Sequence, residues 1–154
     1  MIPDGVRRIA RDDAWSWGIM PFALDRIQRF CGTYDTDSDP KELSEQVARL
    51  FSAGDCRLGL WVIIRDSKVV AHMLAQPEPI LTERGPWSYL LIRQAEADKG
   101  IDLRQDSKLA LESLKQWSKS LGLNRIVMVT HRNEAPMLRR WGFQPFKSIM
   151  DMRI

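Results

Sequence analysis

The middle of the chain alternates between apolar and polar positions with the period of a β-strand. Over Leu58–Ile64 both faces of the strand are apolar, which is typical of a strand inside a sheet. The polar residues 65–68 separate it from a second alternating run, Val69–Gln76, so the pattern predicts an antiparallel hairpin. Pro77 and Pro79 follow directly. They predict that the second strand ends there, because proline cannot donate a hydrogen bond to a neighbouring strand.

Apolar runs of strand length recur on both sides of this hairpin. They predict strands at Val6–Arg11, Trp87–Ala95, Arg125–Thr130 and Phe143–Met152. Between these strands, apolar residues three and four positions apart follow the period of an amphipathic helix, as Leu114 and Trp117 do. The chain is therefore expected to alternate between short strands and helices that each bury one face.

Helix ends are marked by capping residues, proline and glycine. Pro21 is predicted as the first residue of one helix, because its fixed φ suits that position. The run Asp39-Pro40-Lys41-Glu42 predicts a second helix capped by Asp39. A third helix is expected to be capped by Asp106 and to end at Gly122. A short fourth helix is predicted over Asn133–Trp141.

These elements follow the order β-α-α-β-β-β-α-β-α-β. That order predicts an α/β (α+β) fold, with a mixed, mainly antiparallel, six-stranded sheet flanked by helices. A length of 154 residues suits one domain covering 1–154, and 44% hydrophobic with 28% charged residues is typical of a globular protein. No apolar run approaches the roughly 18 residues of a membrane span, and the N-terminus has no apolar signal core. A cytoplasmic protein without membrane contact is expected.

Charge and cysteine content narrow the candidate partners. Residues 1–103 carry a net charge of −3 and residues 104–154 carry +6, so the last third of the chain can attract anions. The tryptophans form no array interleaved with arginine, which disfavours nucleic-acid binding. Cys31 and Cys56 are not spaced as a metal or redox pair, so buried thiols and no metal site are expected.

The C-terminal segment NRIVMVTHRNEAPMLRRWGFQPFKSIMDM carries a family resemblance. A strand, an Asn-led helix and a Gly-Phe pair before the last strand occur in this order in the GNAT N-acetyltransferases, and Gly142-Phe143 occupies the Gly-Phe position here. Together with the order of the other elements, the chain resembles a divergent GNAT protein over nearly its whole length. It is also somewhat similar to the small GNAT-like proteins of short-tailed bacteriophages, which implies that a location in the virion is an alternative.

The resemblance implies that acetyl-CoA binds where the third strand of the central region leads into the long helix. The family's glycine-rich pattern is reduced there to RQAEADKGIDLRQDSK, with one glycine, and residues 96–106 hold four acids and two bases. The pantetheine arm is expected along the strand near Ile92 and Gln94, and the pyrophosphate over the helix start. The remaining implied contacts are Lys99, Gly100, Arg104, Ser107, Lys108 and Asn133. The acids and the missing glycines predict weak acetyl-CoA binding, or none, by the isolated protein.

Candidates for proton transfer are scattered in the sequence. Many GNAT proteins place a tyrosine four residues before the Gly of Gly-Phe, where this chain has Leu138 instead. The same counting places His131 at the family's Asn position, where it could contact the cofactor or act as a base. Glu78 and Glu83 follow the second hairpin strand, and Tyr89 lies on the next strand. These three residues are candidates for deprotonating an amine.

Three functions remain open at this point. The first is an N-acetyltransferase with a degenerate cofactor loop, acting on a small-molecule amine, a protein N-terminus or a lysine. The second is a catalytically inactive protein of the same fold that binds a protein partner. The third, a nucleic-acid-binding module, would use the basic last third of the chain.

Overall fold

The computed structural model describes residues 2–34, 38–55, 57–82, 85–128 and 142–143, with the backbone alone for 79–82 and 85–88. The strands are β1 (Gly5–Arg8), β2 (Gly59–Arg65), β3 (Lys68–Thr82), β4 (Gly85–Ala97) and β5 (Ile126–Met128). The helices are α1 (Ala14–Tyr34), α2 (Pro40–Ala53) and α3 (Arg104–Ser120). The predicted helix Asn133–Trp141 and most of the predicted sixth strand lie outside the described residues.

The five described strands form one mixed sheet in the order β1-β2-β3-β4-β5. β1 to β4 pair antiparallel, whereas β4 and β5 pair parallel. The predicted hairpin is confirmed, because β2 and β3 are adjacent and antiparallel. Its turn residues Asp66 and Ser67 both have positive φ, 50° and 61°, as a two-residue turn between twisted strands requires. The fold class predicted from the sequence is likewise confirmed.

The prediction that the second hairpin strand stops at Pro77 and Pro79 is wrong, since β3 continues to Thr82. β3 pairs with β2 only as far as Ala75, while its pairing with β4 runs on to Thr82. Beyond Ala75, β3 is thus an edge strand within the described part of the sheet. An edge tolerates proline, because the missing N–H can face outward.

Two predicted helix starts are also wrong. α1 begins at Ala14 and contains Pro21 in its interior. Ser16 and Ile19, which precede the proline, are buried in the core. This packing outweighs the loss of the hydrogen bond that Pro21 cannot donate. α3 begins at Arg104 with Leu103 as its N-cap, so Asp106 lies in the first turn and does not cap the helix. The predicted start of α2 is confirmed, because the Asp39 carboxylate accepts a hydrogen bond from the Glu42 amide at 3.1 Å.

The core lies on both faces of the sheet. On the α1 face, α1 and α2 cover inward-pointing residues of β2 and β3, among them Val62 and Leu74. On the α3 face, α3 covers Trp61, Leu90 and Ile92, and its own Leu114 and Trp117 belong to the same cluster. Alternate residues of each strand therefore face different helices, and any groove beside α3 opens on the α3 face.

The described residues also test the expectations about buried thiols, metal ligands and membrane-spanning helices. Cys31 is buried, and its sulfur accepts a hydrogen bond from the Gln94 side-chain amide at 3.4 Å. Among the described residues, no group of three or more His, Cys, Asp or Glu side chains is arranged to hold a metal ion. The described helices include none that is long and apolar enough to cross a membrane.

Candidate active site

An apolar cleft of about 160 Å³ lies between the end of β4 and the first half of α3. Its floor comes from β2 and β3, and its sides come from β4, β5 and α3. Phe143, directly after Gly142, closes one side and also packs against the α3-face core. The lining residues are Ile63, Ala71, His72, Met73, Ile92, Ala95, Glu96, Ala97, Ser107, Ala110, Leu111, Met128 and Phe143.

The end of β4 has a strict alternation of polar residues and alanine. Ala95 and Ala97 line the cleft with their small side chains, on the α3 face. Gln94, Glu96 and Asp98 instead carry side chains that contact α1 on the other face. The segment QAEAD thus gives the cleft a wall of small alanine side chains. Its two carboxylates pair with Arg26, and Glu96 also lines the cleft.

An irregularity in β4 separates the two halves of this strand. Leu74 pairs with Gln94 but Ala75 pairs with Ile92, so Arg93 is an extra residue, as in a β-bulge. The bulge lets Ile92 point into the α3-face core while Gln94 points to α1. The described pairing of β4 with β5 ends at Ile92 and Met128, and both residues line the cleft. Residues 129–130, which directly follow β5, lie outside the described residues.

The four acids of residues 96–106 are all ion-paired. Arg26 of α1 lies 3.7 Å from a Glu96 carboxylate oxygen and 2.8 Å from one of Asp98. Arg65 pairs with Asp106, and Arg104 pairs with Asp102 at 2.9 Å. The excess negative charge counted from the sequence is therefore balanced by Arg26 and Arg65, which come from outside the segment. The ion pairs weaken the electrostatic reason for expecting poor acetyl-CoA binding, whereas the scarcity of glycine remains, and weak binding stays a prediction.

Asp102 is held at the start of α3 by its neighbour. Its carboxylate accepts hydrogen bonds from the Arg104 side chain at 2.9 and 3.1 Å and from the Arg104 backbone amide at 3.2 Å. These bonds lower the pKa of Asp102 from 3.8 to about 2. The same pair raises the pKa of Arg104. One helix-terminal amide is thus already occupied by a side chain of the chain itself.

The predicted cofactor contacts fall into two groups around the cleft. Ile92 and Ser107 line it. Lys99, Gly100, Arg104 and Lys108 are exposed on the loop and first turns next to it. Gly100 has a φ of +82° with open space beside its α-carbon, which identifies it as a turn glycine. Gln94 is buried with its side chain bonded to His72, so its backbone alone is available for a cofactor.

The structure places Glu78 and Tyr89 directly opposite each other on β3 and β4. Leu90 points into the α3-face core, so alternation puts Tyr89 and its partner on the α1 face. Glu78 is half-buried and accepts a hydrogen bond from the Gln76 side-chain amide. The side-chain oxygen of Gln76 accepts a hydrogen bond from Arg93 at 3.2 Å. Tyr89 lies three residues, about 10 Å, along β4 from Ile92.

Sequence reasoning did not single out Arg93, Gln76 or Arg26 as parts of this region. The alternation of QAEAD was the signal that could have assigned the two acids to the face away from α3. The other candidates, Glu83, His131 and Asn133, lie outside the described residues.

The fold is similar to that of several solved acetyltransferases. No family model matches the chain, and no curated protein matches its sequence. One similar structure is a predicted acetyltransferase with acetyl-CoA from Clostridium acetobutylicum, with a TM-score of 0.71, 14% identity and coverage of 98% and 96% of the two chains. Another is a possible acetyltransferase from Clostridium difficile 630, with a TM-score of 0.63, 12% identity and coverage of 97% and 96%.

A third similar structure is an aminoglycoside acetyltransferase from an uncultured soil metagenomic sample. It has a TM-score of 0.62 and 13% identity, and the likeness covers 99% of each chain. Identities this low establish the fold and not the activity, and a similarity to phage proteins stays a prediction. The order of elements, the mixed sheet and these likenesses over whole chains show that this protein has the GNAT-like acetyltransferase fold.

Proposed function

We propose that this protein is an N-acetyltransferase that uses acetyl-CoA and binds it in the cleft beside Ala95 and Ala97. The observation that carries this proposal is the cleft itself, which lies between the end of β4 and the start of α3 and is lined mainly by apolar side chains. Small side chains at 95 and 97 leave room for an extended arm along the strand. Glu96 and Asp98 are paired with Arg26, which offsets their repulsion of an anion in the cleft.

The residues around the cleft suit the parts of acetyl-CoA. Backbone groups at Ile92 and Gln94 would pair with the pantetheine arm, as they would with a strand. The diphosphate would lie near the N-terminus of α3, where Lys108 and the backbone amides of the first helical turn provide positive potential. Because Asp102 already accepts from the Arg104 amide, the diphosphate would meet Gln105 and Asp106 amides first.

Bound acetyl-CoA would supply an acetyl thioester, and the protein would supply a proton acceptor for the attacking amine. We assign this role to Glu78, which is half-buried on β3 with Tyr89 opposite. Its hydrogen bond with Gln76 fixes its orientation, so that one oxygen can face an amine directly or through a water. The acceptor is an amine of a small molecule, of a protein N-terminus or of a lysine.

A cleft-filling substitution tests the proposal. Ala97 is exposed at the end of β4, so Ala97→Phe should fold while its ring occupies the cleft. Isothermal titration should show acetyl-CoA binding to the unmodified protein with a Kd of about 10–100 µM, and at least tenfold weaker binding to Ala97→Phe. Leu109→Phe is the matched control, because Leu109 is 53% exposed on α3 and does not line the cleft.

The outcome separates the enzyme from the inactive alternative. Equal acetyl-CoA affinity in Ala97→Phe and Leu109→Phe would place the binding site elsewhere. A complete absence of binding to the unmodified protein would favour a protein of this fold without catalysis.

A further inference from the structure

We propose that Arg26 is a positioning residue that fixes the end of β4 and thereby shapes the cleft and the loop leading into α3. The proposal is independent of the cofactor for its structural part and rests on the proposed function for its effect on acetyl-CoA. It starts from an unusual feature, an arginine of α1 with only 4% of its side chain exposed. A buried guanidinium is costly to desolvate unless it is paired, so its partners identify what it holds.

All the described polar partners of Arg26 belong to β3 or to the end of β4. Its guanidinium donates to the Asp98 carboxylate at 2.8 Å and to the Val69 carbonyl oxygen at 3.3 Å. Its Nε donates to His72 Nδ1 at 3.4 Å. Nη2 makes no hydrogen bond to a described residue and lies 3.7 Å from Glu96. One side chain thus joins α1 to two neighbouring strands.

The contact with His72 extends this network along β4. Arginine only donates, so His72 Nδ1 accepts and the ring hydrogen must lie on Nε2. Nε2 then donates to the Gln94 oxygen at 2.9 Å, which leaves the Gln94 amide to donate to the Ile27 carbonyl at 3.4 Å. Gln94 and Glu96 of β4, and Asp98 directly after it, are therefore all tied to α1.

Asp98 is the point where β4 leaves the sheet. Its backbone amide donates to the Val70 carbonyl at 2.8 Å, and the turn at 99–100 follows immediately. With its amide held by β3 and its carboxylate held by Arg26, the direction of the turn is fixed. At the other end of the loop, Leu103 is buried and Asp106 pairs with Arg65. The loop is thus held at both ends by arginines from other elements.

The same segment forms the wall of the cleft. Ala95 and Ala97 alternate with Gln94, Glu96 and Asp98, which are tied to α1, so a shift of the strand end would move both alanines. Loss of Arg26 would also remove the cation that pairs with Asp98, close to the expected diphosphate. Both consequences weaken cofactor binding without touching Glu78, and this separates Arg26 from a residue that takes part in chemistry.

The matched comparison uses two arginines of the same helix. Arg26→Met removes the buried contacts, whereas Arg29→Met removes an exposed pair with Asp25 at 3.1 Å within α1. In hydrogen–deuterium exchange without any ligand, Arg26→Met should speed exchange of residues 96–103 about tenfold relative to Arg29→Met, with α2 unchanged. Equal exchange of residues 96–103 in the two variants, or acceleration spread over the whole chain, would overturn the proposal.

Acetyl-CoA titration and kinetics test the functional part. Arg26→Met should raise the Kd for acetyl-CoA about tenfold and raise its KM in parallel, with kcat within about twofold of the unmodified protein. A fall in kcat at unchanged KM would contradict positioning. If the unmodified protein does not bind acetyl-CoA, the proposed function fails, and the exchange experiment still decides the role of Arg26.

A second, milder variant tests the same contact in case Arg26→Met does not fold. Asp98→Ala removes the carboxylate from a side chain that is 48% exposed, so the fold should tolerate it. It should reproduce the faster exchange at 96–103, and adding it to Arg26→Met should produce little further change, because both substitutions remove the same contact. Fully additive effects of the two substitutions would overturn the proposal.

Discussion

Single side chains around the cleft derive their roles from their partners. Glu78 combines partial burial, a fixed hydrogen bond from Gln76 and a position opposite Tyr89. Glu112 is an exposed carboxylate on α3 whose described partner is Lys115, at 3.2 Å. The two residues have the same chemistry in different surroundings, and this makes them a test pair for the proton acceptor.

Glu78→Gln should lower kcat for acetyl transfer about 100-fold, because the amide cannot accept the amine proton. The Kd for acetyl-CoA should not change, since Glu78 does not line the cleft. The assay would follow thiol release with spermidine, a lysine peptide and an aminoglycoside as acceptors. Glu112→Gln should leave the rate unchanged. A Glu78→Gln rate within about twofold of the unmodified protein would assign the base to another residue.

The faces of the residues at 94–98 could be predicted from the sequence, but their partners could not. Strand alternation suffices to put Ala95 and Ala97 on one face and the acids on the other. Arg26 is 72 residues from Asp98 in sequence, and Arg65 is 41 residues from Asp106. Pairs this distant depend on the packing of α1 and of the β2–β3 turn, which no local pattern specifies. A count of charges within the loop therefore missed the two arginines that pair with its acids.

At the level of elements, α3 and β2 meet through two tryptophans that leave no room for another atom. Trp61 and Trp117 contact edge to face with ring centroids 5.5 Å apart, and Trp61 donates to the Ser113 hydroxyl at 2.8 Å. Arg8 of β1 lies over the Trp117 ring at 4.7 Å, and burial there lowers its pKa. Gly59 passes beneath both rings, where an added β-carbon would lie 2.5 Å from Trp61 and 2.7 Å from Trp117.

Gly59→Ala should therefore destabilise the protein by about 1–3 kcal/mol, because the rings must shift to admit the methyl group. Gly18→Ala is the contrasting change, since Gly18 lies inside α1 with open space where a β-carbon would go. It should stabilise the protein by about 0.5–1 kcal/mol through helix propensity. Urea unfolding of both variants measures these changes. Equal stability of the two variants would mean that the packing around Trp61 adapts without cost.

Element boundaries were predictable where local chemistry decides them and wrong where tertiary packing does. The Asp39 cap of α2 and the β2–β3 hairpin depend on neighbouring residues and were predicted correctly. The start of α1 depends on residues buried before Pro21, and the length of β3 depends on its long pairing with β4. Neither the burial nor the pairing is visible in a local pattern, so propensity rules predicted both elements to be shorter than they are.

At the scale of the whole molecule, the two faces of the sheet carry different features. The α1 face carries the Arg26 network and the Glu78–Tyr89 pair, and the α3 face carries the apolar cleft. The bulge at Arg93 shifts the alternation of β4, so that residues before and after it with the same parity point to opposite faces. The proposed reaction needs the amine on the Glu78 side to reach the thioester past the end of the described β4–β5 pairing, at Ile92 and Met128.

The most direct test of this account is hydrogen–deuterium exchange of the unmodified protein with and without saturating acetyl-CoA. Bound acetyl-CoA should slow exchange in residues 92–98 and 103–111, which form the cleft wall and the start of α3. Residues 40–53 of α2, on the far face, should exchange at the same rate in both samples. Unchanged exchange at 92–98 and 103–111 in millimolar acetyl-CoA, or protection confined to α2, would contradict the account.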